Sequence, residues 1–322
     1  MKKSSTAVAA ILTLILVFAS GCGGGKSAST DSEASGKKTI KIAYLPLTHA
    51  LAVLAAKDLS EEGKIDANVN VELVKFSSWP ELTDALNADR VDGASVLIEL
   101  AAKAKEQGID LKVVALGHHN GNAVIVKPEI NSAANIKGKT LAVPHRQSSH
   151  NILVRQMLSD AELSLSDVNL VELPPPEMPS ALAQGTIDGY CVAEPFGAKA
   201  VTMNIGKALR QSDELWKNSI CCGLVLNNAY LKAHPDAARE FVEQYKQAGH
   251  YLSAHPEAAM RVAKNHLAVD EETLELSLKW ISFDDLQMTK DSYDTLTEKM
   301  VKFGLTDHPP KYEDFVASGL TE

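Results

Sequence analysis

The chain has no surplus of positive charge. Its 32 lysines and arginines stand against 41 aspartates and glutamates, a formal net charge of −9. That excludes nucleic-acid binding as the main activity, because a basic face is needed to neutralise phosphates. It says little about a small ligand, since local geometry inside a cleft outweighs the global sign. The sequence also lacks a CxxC pair, GxSxG, HExxH and a phosphate-cradling glycine loop, so the usual signatures of metal, hydrolase and nucleotide chemistry are missing. The apolar run Ala7–Ala19 is too short for a comfortable transmembrane helix.

That run is instead an address. Lys2 and Lys3 precede it and "FASGC" ends it, as in a secretory signal peptide. Small residues directly before a cysteine resemble a bacterial lipobox. The resemblance implies cleavage before Cys22 and a diacylglyceryl anchor on its sulfur. Residues 1–21 then form the signal peptide. Residues 22–37, "CGGGKSASTDSEASGK", lack periodicity and read as a flexible tether. The expected location is the extracytoplasmic side of a bacterial cell membrane.

From Lys38 onward strands and helices alternate. "KTIKIAYLP" reads as a strand. "THALAVLAAKDLSEEG" has helical periodicity, a Thr at its start and a Gly at its end. "NVNVELVKFS", "VDGASV" and "LKVVALG" read as further strands, with helices between. The rhythm restarts after residue 125 with "KTLAVP", the helix "SSHNILVRQMLSDA", "VNLVELP" and "IDGYCV". Such alternation predicts mostly parallel sheets covered by helices. After "SICCGLVLNNAYLKAHP" the chain turns mainly helical.

The two halves share a corner. "ALNADRVDGASV" at 85–96 matches "ALAQGTIDGYCV" at 181–192, an even 96 positions apart. Asp92 and Asp188 are expected to hold the turn before a strand, with Gly93 and Gly189 where a side chain would crowd it. The expected fold is therefore α/β. Two Rossmann-like lobes enclose a ligand cleft, and a helical tail follows. Lobe one begins at 38–125, lobe two is 126–223, and 224–322 returns to lobe one. Ligands of such sheets bind beyond the carboxyl ends of the strands. Cys191, Cys221 and Cys222 are expected as buried thiols acting as small hydrophobes.

"SAANIKGKTLAVPHRQSSHNILVRQML" followed by "ALAQGTIDGYCVAEPFGAKA" resembles the solute-binding components of ATP-binding-cassette importers. The closest group is that for nitrate, bicarbonate, sulfonates and taurine. The likeness implies the type II periplasmic-binding-protein fold, with "NAVIVKP" and "CGLVLNN" as the strands that cross between lobes. It implies no catalysis and no cofactor or metal. The implied partners are a small solute, anionic by the likeness, a membrane permease and its ATPase. The implied state is a monomer. Residue by residue, the group's anion-facing positions fall on Trp79, Asn122, His150, Ala193 and Lys217. Ala193 stands where Gly is usual and Phe196 where Trp is usual, so the solute need not be nitrate or bicarbonate.

The residues add candidates of their own. Ser148 and Ser149 lie where a strand feeds a helix, so free backbone N–H groups there can hold an anion. They also cap that helix. Thr48 and His49 occupy the equivalent place in the first lobe. Trp79 is either a lid over the ligand or a core aromatic, and the lid is preferred. His118 and His119 end a strand on the cleft side, where alternation turns only one inward, and His119 is taken as a candidate. Glu194 precedes a proline and is extended. It either locks the hinge or accepts from the ligand.

Other readings are a thiamine-precursor pyrimidine or flavin as solute, a pyrimidine-synthesising enzyme, and a zinc receptor built on His118, His119, His145 and His150. The enzyme family carries "CCCFC", of which "ICCGL" matches only the first part. The zinc set is disfavoured because adjacent histidines rarely converge on one ion.

Overall fold

In the computed structural model, residues 36–321 are described. The segment bearing Cys22 lies outside them. Twelve strands occur among the described residues: β1 (Thr39–Tyr44), β2 (Asn70–Lys75), β3 (Gly93–Leu97), β4 (Leu111–Leu116), β5 (His119–Asn120), β6 (Asn122–Val126), β7 (Thr140–Val143), β8 (Asn169–Glu172), β9 (Gly189–Ala193), β10 (Lys207–Gln211), β11 (Cys222–Asn227) and β12 (Ile281–Ser282). They form two five-stranded sheets, ordered β2-β1-β3-β11-β4 and β8-β7-β9-β6-β10, and a small β5–β12 pair. This is the two-lobed α/β architecture.

The two large sheets are built alike. In each, three strands run parallel, and the fourth is an antiparallel strand supplied from elsewhere in the chain. β11 enters the first sheet and β6 the second. β3, β6, β9 and β11 are buried along their whole length. Continuous apolar runs are what a sheet covered on both faces requires.

Both corners do the same work. The Asp92 carboxylate accepts from the Lys41 N–H at 2.8 Å, just before β1 begins to pair with β3. The Asp188 carboxylate accepts from the Thr140 N–H at 3.0 Å, where β7 begins, and pairs with Lys127 at 2.8 Å. Each aspartate thus satisfies a donor the parallel ladder leaves open. The glycines that follow face the crossing strands. A Cβ on Gly93 would fall 2.4 Å from the Val225 carbonyl oxygen, and one on Gly189 2.7 Å from that of Ile125.

Four helices position the cleft: α1 (Leu51–Glu61), α2 (Trp79–Asn87), α3 (Ile98–Glu106) and α4 (Ser149–Asp160). Ser148 caps α4 by accepting from the Asn151 N–H at 3.3 Å. Thr48 behaves differently from a simple cap. It opens a 3₁₀ turn, Thr48–Ala50, and makes no side-chain cap bond. Its N–H and its hydroxyl both donate to the Glu194 carbonyl at 3.0 Å, across to the second lobe.

The helical tail serves both lobes. In the helix Pro235–Ala254, Gln244 accepts from the Asn68 and Val69 N–H groups and donates to the Ala56 carbonyl. Tyr245 donates to the Leu116 carbonyl at 2.9 Å. The helix Glu271–Lys279 reaches the second lobe through a Thr273–Thr202 hydroxyl contact of 2.8 Å. No described helix is long and apolar enough to cross a membrane.

Candidate functional site

The site forms where each lobe's first strand hands over to its first helix. After β1 come Thr48 and His49. After β7 come Ser148, Ser149 and His150. The amino ends of the two crossing strands enter the same place, bringing Cys221 and Cys222 on one and Asn122 on the other. His49, His118, Asn122, Ser149, His150, Cys221 and Cys222 are all buried there.

His49 stands at the centre. Its ring lies 3.6 Å from that of His118, centroid to centroid, and 6.5 Å from that of His150, nearly parallel at 12°. Its Nε2 bonds the Gly121 carbonyl at 2.7 Å. A carbonyl only accepts, so Nε2 carries a proton, and in the neutral ring the lone pair falls on Nδ1. That Nδ1 lies 3.6 Å from Cys222 Sγ. Gly121 also accepts from the Glu194 N–H at 3.0 Å, so one carbonyl ties both lobes. Cys221 Sγ lies 3.8 Å from Cys222 Sγ and 3.9 Å from Asn122 Oδ1.

Several buried polar atoms here lack a hydrogen-bond partner, both nitrogens of His150 and Asn122 Nδ2 among them, while His118 faces Cys221 and Glu99 faces Ser149. Each such group forfeits about 1–3 kcal/mol unless something binds it. Burial pushes His118 down to about 4, with His49 adding to the fall, and pushes His150 to about 4 as well. Both imidazoles are therefore neutral near pH 7. Burial raises Glu99 well above the carboxylate range, and Cys221 adds to the rise. Cys221 is the more acidic of the adjacent thiols. Burial opposes its ionisation, but Cys222 and the imidazoles of His150, His118 and His49 outweigh it. Burial and the neighbouring Cys221 push Cys222 up. No lysine or arginine is buried among the described residues.

The sequence candidates divide accordingly. Thr48, His49, Asn122, Ser148, Ser149, His150 and Glu194 are buried, at or beside this junction. Ala193 ends β9 and is also buried. His119 is not in the cluster. It turns away to the Asp285 carbonyl at 2.8 Å, and His118 takes the inward place that alternation reserved for one of the pair. Lys217 is exposed and is not brought to the cluster. His145 instead accepts from the Gln147 N–H at 2.9 Å. Trp79 opens α2 and is 2% exposed, with its Nε1 unpartnered. Glu194 anchors the junction. Its carboxylate accepts from the Ala198 N–H at 3.0 Å, and its carbonyl holds Thr48.

Cys221, Cys222 and Glu99 were missed as site residues. All three cysteines are indeed buried free thiols. The doublet "CC" at the mouth of a crossing strand was the signal that would have drawn attention to two of them.

Two like lobes meeting over buried polar groups form a junction suited to enclosing a small solute. The chain belongs to the NMT1-like family, whose model matches residues 33–267. A ligand-binding component of an ABC-type import system from Staphylococcus aureus, solved with zinc bound, is 36% identical. It superposes with a TM-score of 0.83 over 88% of this chain and 98% of that one. A nitrate/nitrite binding protein of Nostoc is 25% identical over 62% of this chain and 50% of its own length. A putative aliphatic sulfonates-binding protein of Bacillus subtilis is 24% identical over 84% of this chain and 81% of its own. The chain spans 35–56% of the length of the nitrate- and bicarbonate-transport relatives it matches. The relatives named here are a ligand-binding component of an import system and nitrate- and sulfonate-binding proteins.

Proposed function

We propose that this chain is the extracytoplasmic receptor of an ABC importer, tethered through Cys22. It captures a small solute by closing its lobes and delivers it to a permease whose ATPase supplies the energy. One observation carries the reading. Groups of both lobes, His49 and Thr48 from the first and His150, Asn122 and Glu194 from the second, meet in one buried patch. A ligand that contacts both sides favours the closed state by its differential affinity.

Two solute classes have support. The names of the nitrate- and sulfonate-binding relatives support a small anion. The open amino end of α4, with Ser149 and His150, is where it would sit. The zinc in the Staphylococcus aureus relative supports a metal ion. The donor atoms favour the second class, because no buried lysine or arginine accompanies them.

The test combines thermal melting with solution scattering on the full-length processed protein. The panel is nitrate, bicarbonate, methanesulfonate, taurine and zinc. A true solute raises the melting temperature by mass action and lowers the radius of gyration. If the solute that stabilises the protein leaves the radius unchanged, capture by closure is wrong.

A further inference from the structure

We propose that the solute is a thiophilic metal ion of the zinc class, held by His49, His118, Cys221 and Cys222 and enclosed from the second lobe by His150. The inference rests on the receptor reading and names the substrate class of that site. The ligand atoms of His49, His118, Cys221 and Cys222 lie within 4.8 Å of one another, and all four residues are buried. Zinc bonds of ~2.0–2.3 Å in a tetrahedron put ligand atoms roughly 3.3–3.8 Å apart. The Nδ1–Sγ and Sγ–Sγ separations of 3.6 and 3.8 Å already match. The remaining contraction is on the order of 1 Å, within the reach of side-chain rotation.

The surroundings are those of a metal site. The Gly121 carbonyl fixes the His49 tautomer and turns Nδ1 toward the sulfurs, the outer-shell bond that metal-ligating histidines make. Both nitrogens of His150 are buried without partners, and the buried His118 ring faces Cys221. Two thiols and two imidazoles select a soft ion over calcium or magnesium, which take oxygen ligands. As the sulfurs bind, the two thiols release their protons to water, and two thiolates balance a divalent charge. An oxyanion would face sulfur and nitrogen lone pairs there with no cation beside it.

The four donors all come from the first lobe or the strand that enters its sheet. They form a site before closure. His150 stands on α4 of the second lobe, so its approach to the ion couples binding to closure.

The full-length processed protein is purified under reductant and titrated with Co²⁺ and Zn²⁺ against a competing chelator. The expected result is one ion per chain, with thiolate-to-cobalt charge-transfer bands and intense tetrahedral d–d bands. Cys221→Ser and Cys222→Ser should each weaken the charge-transfer bands. Each should lower zinc affinity by at least the ~10–100-fold that follows loss of an outer-shell partner. His150→Ala should keep the thiolate bands but lose the zinc-induced compaction. A wild-type cobalt spectrum without thiolate bands overturns the assignment, with no variant needed. So does zinc affinity unchanged in both serine variants. If nitrate, bicarbonate or methanesulfonate compacts the protein and zinc does not, the receptor reading stands and the metal assignment falls. If none of these ligands, zinc included, compacts it, the receptor reading itself fails.

Discussion

Glu194→Gln should change how stability depends on pH. Glu194 is fully buried directly after β9, and burial raises its pKa from 4.5 to about 8 against the opposing pull of the Ala198 N–H and Ser277. The folded chain therefore binds a proton that the unfolded chain has released. The stability this proton confers is complete below the unfolded value. It is lost progressively as pH rises through about 8. A displacement of this size corresponds to on the order of 5 kcal/mol at ~1.4 kcal/mol per pH unit. Tyr190, the nearby acidic side chain, does not titrate in this window, because burial pushes its phenol far up. A glutamine is neutral throughout, and its oxygen can still accept from Ala198. Urea unfolding at about pH 5, 6.5 and 8.5 measures the effect. The variant should match the wild type near pH 5 and exceed it by several kcal/mol at pH 8.5. A difference that stays constant across the three pH values would refute the reasoning.

The paired corners give two further expectations, and the anchor cysteine a third. Asp92→Ala and Asp188→Ala should each cost about 1.5–3 kcal/mol, the scale of a hydrogen bond to a charged group, read by denaturant unfolding. A loss of less than about 0.5 kcal/mol in either would deny the aspartates a structural role. Gly93→Ala and Gly189→Ala should each destabilise by about 1–3 kcal/mol or more, because the new Cβ meets the carbonyl of a crossing strand that cannot yield cheaply; two variants with unaltered melting temperatures would contradict this. Cys22→Ala should abolish incorporation of labelled palmitate, and persistent labelling would move the anchor elsewhere.

The fold was legible because its evidence is local. Period-two and helical patterns, and the Asp-Gly corner written twice, each lie within a dozen residues. The site is not local. His49 and the cysteine it faces are 173 positions apart, and no window of sequence places one beside the other. Alternation correctly allowed only one of His118 and His119 inward, but it could not choose between them. The choice depends on the β5–β12 pairing that carries His119 toward Asp285. Lys217 came from alignment to a family pattern, and its surroundings leave it exposed. A buried thiol is by default inert packing. What changes the meaning of Cys221 and Cys222 is three imidazoles arriving from other parts of the chain.

The repeated corner and the site have one cause. Gly93 makes room for β11 against β3, and Gly189 makes room for β6 against β9. The register that sets Gly93 opposite Leu226 sets Leu97 opposite Cys222, at the carboxyl end of β3. The register that sets Gly189 opposite Val126 sets Ala193 opposite Asn122, at the carboxyl end of β9. Each glycine thus fixes where a crossing strand begins, and each crossing strand begins in the cleft. A corner is needed once per lobe because each lobe receives one strand that crosses. The two lobes then differ in what that strand delivers: thiols to the first and an amide to the second. That difference gives a symmetric scaffold an asymmetric site, and it puts the soft donors on one side with a single imidazole, His150, facing them from the other.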